Sequence, residues 1–67
     1  MPTLELTAGD LRAALARAQI ANYIIAGRAR VHPVTLSRLL REREPLSQKV
    51  AQRIMRAIEL EVADRAR

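Results

Sequence analysis

Apolar positions in this chain recur at intervals of three and four. The two-residue alternation of a strand nowhere persists beyond a few positions. Leu11, Ala14, Leu15 and Ala18 fall on one face of a first helix, with Arg12, Ala13, Ala16 and Arg17 on the other. Thr7 marks its start, a capping residue with Asp10 three positions on. Leu6 and Leu11 flank that cap with the spacing of a hydrophobic staple. Continued past Ala18, the stripe reaches Asn22, while Ile20, Ile24 and Ile25 lie elsewhere. A turn near residues 18–21 therefore separates a second helix over 21–29. No Gly or Pro lies between Asp10 and Ala26, so one helix over 8–29 satisfies the local signals equally well.

The third helix has the clearest start, because Pro33 after His32 takes the first helical position, where its missing N–H costs nothing. His32 is the cap, and Leu36, Leu39 and Leu40 face inward. Pro45 disfavours helical geometry at Glu44 and ends the segment. Ser47 caps a fourth helix, with Leu46 stapled toward Ala51. Val50, Ile54, Ala57, Ile58 and Val62 form its stripe, and no breaker follows, giving roughly eighteen residues and about 27 Å. The expected fold is an all-α domain of four, or at most five, helices spanning residues 1–67.

Composition narrows what such a domain does. Sixty-seven residues make one small domain near the lower limit for a single core. There is no Cys and one His, so neither disulfides nor a closed zinc site is expected. Tyr23 is the one aromatic residue, which argues against single-strand binding by base stacking. No apolar run approaches the ~20 residues of a membrane span. The acidic opening MPTLELTAGD is not expected to be a signal peptide, and a cytoplasmic location follows. Paired carboxylates, a nucleophile–base pair and a Gly-rich phosphate loop are all lacking, so neither an enzyme nor a bound cofactor is expected.

The formal charge is +5. Eleven of the twelve basic residues are Arg, and twelve residues are Ala, a usage that codon bias in a GC-rich genome also produces. Position is more informative than total. Residues 11–44 hold seven Arg against Glu42 and Glu44, a net of +5, while residues 1–10 are net negative. The middle of the chain carries the positive field.

Within that stretch, residues 22–41 read NYIIAGRARVHPVTLSRLLR. Ala26 supplies a small residue where two helices cross, Val31 an apolar residue for a turn, and Leu36, Leu39 and Leu40 an inward stripe. His32, Thr35, Ser37, Arg38 and Arg41 then point outward, a hydrogen-bonding set suited to base edges in a major groove. With LRAALARAQI before it and PLSQKVAQRIMRAIE after it, the segment resembles the Cro/phage-repressor (XRE-like) helix-turn-helix domain over about residues 10–60. The resemblance implies phosphate contact at Asn22, base reading by His32, Val34, Thr35 and Arg38, and phosphate contact at Arg41 and Arg43. It also implies a left-handed residue in the turn, where Gly is usual and Arg30 stands. Ala21 replaces the usual Ser or Thr cap, and Ile24 a residue that is usually polar.

Bland roles stand beside these. Arg41 and Arg43 pair with Glu42 or Glu44, Tyr23 packs half-buried or sends its hydroxyl to a phosphate, Ile24 is core or a surface anchor, and Met55 fills core. The expected function is a sequence-specific double-stranded DNA-binding regulator, a phage or bacterial repressor working as a homodimer on an inverted repeat, with no small-molecule ligand. One module buries little surface on DNA, and a two-fold pair doubles it. Ile58, Leu60 and Val62 are the expected dimer contacts. The alternatives are a protein-interaction module of antitoxin type and a recombination or architectural accessory protein.

Overall fold

The computed structural model describes residues 5–66, and all of its regular structure is helical: α1 (Ala8–Ala18), α2 (Asn22–Ala29), α3 (Pro33–Leu40) and α4 (Gln48–Arg65). α1 opens on a full capping box. The Thr7 hydroxyl accepts from the Asp10 N–H at 3.1 Å, and the Asp10 carboxylate accepts from the Thr7 N–H at 2.9 Å. His32 caps α3 with its ring, Nδ1 accepting from the Val34 N–H at 3.2 Å. Ser47 caps α4, its hydroxyl accepting from the Val50 N–H at 3.2 Å. The N-terminal segment is tied down by Gln48. Its side-chain amide exchanges two 2.8 Å bonds with the backbone of Leu6.

The chain does turn after Ala18, so residues 8–29 are two helices. All of the first three helices stop in the same way. Gln19, Arg30 and Glu42 have φ of 55°, 58° and 60°. Each sits between a six-to-one and a five-to-two backbone bond, as when the Val31 N–H reaches the Ala26 carbonyl and the Arg30 N–H reaches that of Gly27. This is the Schellman stop, usually built on Gly. Here none of the three residues is Gly, and a left-handed side-chain-bearing residue costs roughly 1–2 kcal/mol. Gly27 instead lies inside α2, with open space where a Cβ would stand. Gly27→Ala and Glu42→Gly are therefore each expected to stabilise the protein by about 0.5–1 kcal/mol. Thermal melts followed by circular dichroism check this, at about 4–8 °C per kcal/mol.

One core joins the helices. Leu11 and Leu15 of α1, Ile25 and Ala26 of α2, Leu36, Leu39 and Leu40 of α3, and Ile54 and Ile58 of α4 all pack into it. α4 crosses both α1 and α2, and α3 rests on those same two helices. Ile24, Val31, Leu46 and Met55 pack half-buried at its edge, so Ile24 is not a surface anchor. No helix among the described residues is long and apolar enough to cross a membrane.

The expected dimer surface needs correction. Ile58 is 3% exposed and belongs to the protein's own core. Leu60 and Val62 are exposed, at 49% and 45%, but residues two apart on a helix point about 200° apart. Leu60 lines a cleft with Arg28, Arg30, Arg53 and Arg56, while Val62 lines a different one with Ala14, Ala18 and Met55. The three residues do not form one patch.

Candidate nucleic-acid interface

Burying Leu36, Leu39 and Leu40 fixes which side of α3 meets solvent. Positions 34, 38 and 41 lie on the opposite face, since an α-helix advances 100° per residue. Val34, Arg38 and Arg41 are accordingly exposed, Val34 by 52%. Ser37 is half-buried on one flank of this face, and Thr35 on the other.

The flanks lead to two clefts. On the Ser37 side, a cleft of about 450 Å³ gathers Asn22, Ser37 and Arg41 with Arg12 of α1 and Gln19, the residue that closes α1. Among the described residues, no carboxylate lines it. Asn22 is the first residue of α2, whose cap Ala21 makes no side-chain hydrogen bond and whose first turn holds no acid. The opening N–H groups of α2 thus have no side-chain acceptor there. They add the positive end of a helix dipole to the two guanidinium groups. On the Thr35 side, Thr35 and His32 line a second cleft with Arg30, Val31 and Ser47.

Ion pairing sharpens the charge distribution. Among the described residues, Arg41 and Arg43 pair with no carboxylate. Glu44 pairs instead with Arg38, at a long 3.4 Å between exposed side chains. Near the end of α4, Glu61 holds Arg28 and Arg65, and Asp64 holds Arg28. The hydrogen bond that Arg28 donates to Asp64, above all, raises the Arg28 pKa further beyond its ordinary value, with the charges of Asp64 and Glu61 acting the same way. Arg28 is thereby neutralised by neighbours, whereas among the described residues Arg12 and Arg41 pair with no carboxylate and share a cleft that no acid among those residues lines.

The sequence-derived site is thus only partly one surface. Asn22, Ser37 and Arg41 share a cleft; Val34 and Arg38 form the crest beside it; His32 and Thr35 face the second cleft. Arg43 stands apart, on a surface it shares with Glu5, Glu42 and Glu44. Tyr23 is 70% exposed, which overturns its half-buried packing role and leaves its hydroxyl free. Arg12 and Gln19 are the additions. The Arg12 guanidinium donates to the Leu40 carbonyl at the end of α3, which holds this exposed side chain at the lip of the cleft. A lone polar position on the first helix gives no sequence signal for that cross-chain bond.

Comparison with protein-family models, curated proteins and solved structures finds no match to this chain.

Proposed function

We propose that the protein is a sequence-specific double-stranded DNA-binding regulator, a cytoplasmic repressor in which α2, the Arg30 turn and α3 act as a helix-turn-helix of the Cro/phage-repressor kind. The observation that carries this reading is the division of α3. Its three leucines are buried, and its free face offers Val34, Arg38 and Arg41 beside an acid-free cationic cleft at the start of α2. A helix fits a major groove, and the Arg38 fork suits guanine O6 and N7 together. Val34 suits a thymine methyl. Phosphates bracket such a helix, and the N-terminus of α2 with Asn22, Arg12 and Arg41 has the donors for one of them. Arg43 has the reach of an outlying second contact.

On this reading the long-range attraction is ionic. Arg12, Arg41 and Arg43 displace counterions from the duplex, so log K falls with log salt at a slope of about −3 per protomer. Fluorescence-anisotropy titration of labelled duplex across a salt series measures it. A slope near zero, or tight binding to an acidic protein without any to duplex, is the result that removes the reading.

A further inference from the structure

We infer that the protein pairs with a second copy of itself through the groove between α1 and α4, where Arg17 of each protomer meets the partner's Glu59. The groove holds about 410 Å³. Its floor is apolar, made by Ala14 and Ala18 of α1 and Met55 and Val62 of α4 over the buried Ile58. Its charged lining residues are Arg17, on α1, and Glu59, on α4. Both are exposed, and among the described residues neither makes an ion pair. Glu59 stands out for this on α4, because both other acids of that helix, Glu61 and Asp64, are engaged with arginines.

Opposite charges on the two helices around an apolar floor are self-complementary under a two-fold axis. In such an interface the same patch meets itself, so a contact between residue 17 and residue 59 occurs twice. Two arginines then face two glutamates around a centre of alanine, methionine and valine side chains. The geometry also leaves the candidate interface clear. Ala14, Arg17 and Ala18 lie across α1 from Arg12, Leu15, Ala16 and Gln19, which line the cleft beside α3. An acidic partner protein fits less well, since it would meet Arg17 but also the unpaired Glu59.

The proposal deepens the DNA-binding reading by naming the dimer surface, and it is tested without DNA so that the two fail separately. Sedimentation equilibrium of the full chain, from micromolar to hundreds of micromolar, is run on the wild type and on Arg17→Glu, Glu59→Arg and the double variant. The wild type is expected to dimerise. Each single reversal weakens association by about tenfold or more, and the double variant recovers most of that loss, as close interfacial charge pairs do. Val62→Gln, which removes apolar floor, also weakens the dimer. Leu60→Gln, on another side of α4, leaves it unchanged. A wild type that stays monomeric throughout overturns the proposal. So does a double variant no better than the singles, or a dimer lost with Leu60→Gln and kept with Val62→Gln.

Discussion

Ile54→Ala is expected to remove about 2–5 kcal/mol of stability, the range for emptying a large aliphatic side chain from a packed core. Ile54 is fully buried, one of four large side chains with almost no exposure, beside Leu11, Ile25 and Leu36. Among the described residues, five of the fourteen buried apolar ones are alanines, so a few large side chains carry most of the burial. A chain of this length has a total stability of about 3–10 kcal/mol. Losing the centre of α4 therefore takes about a fifth of it or more, because α4 packs against both α1 and α2. Urea titration followed by circular dichroism reads the loss as a lowered midpoint. Gln52→Ala, exposed on the same helix, is the control and should stay within about 0.5 kcal/mol of the parent. Equal midpoints for the Ile54 and Gln52 variants would show that this core is not what holds the helices together.

Arg38→Ala has the largest effect on recognition. Arg38 is exposed and its partner Glu44 is a long, solvated contact, worth about 0–1 kcal/mol, so the variant is expected to fold. What it loses on the proposed function is the bidentate grip on a base pair, about 1–3 kcal/mol of discrimination. Affinity for the preferred site falls toward that for other sequences. Arg43→Ala behaves differently, weakening all sequences alike and reducing the salt slope by about 1. Competition binding with preferred and scrambled duplexes separates the two. Unchanged relative preference in Arg38→Ala would mean that α3 is not the reading element.

Three of the four helix starts were legible because each uses a side chain with a local partner, Thr7 with Asp10, His32 with Pro33 behind it, and Ser47, whereas the cap of α2, Ala21, has none. The core followed from the same logic, since Leu36, Leu39 and Leu40 or Ile54 and Ile58 repeat at helical spacing. The helix ends were harder. Gln19 and Glu42 adopt left-handed geometry without being Gly, so composition marks neither stop, and only a broken stripe separated α1 from α2. Arg30 was placed by resemblance, and its backbone has the left-handed conformation.

Side-chain pairing across turns was the least legible level. Glu44 reaches back six residues to Arg38 rather than to its neighbour Arg43, and among the described residues neither Arg41 nor Arg43 pairs with an acid. Arg12 joins the cleft beside Asn22 through a bond to Leu40, twenty-eight residues away. Ile58, Leu60 and Val62 are apolar and close in sequence, which marks them as dimer contacts, but they do not share one surface. The fold buries Ile58 in its own core, and positions 60 and 62 point to different sides of α4.

The central claim is that α3 reads double-stranded DNA, and selection of bound sequences from a random duplex library measures it most directly. The predicted result is enrichment of an inverted repeat whose half-sites are centred ~10 bp apart, with a preferred guanine in each half that the Arg38→Ala protein no longer selects. A bound pool indistinguishable from the starting library, at low as well as moderate salt, would contradict it.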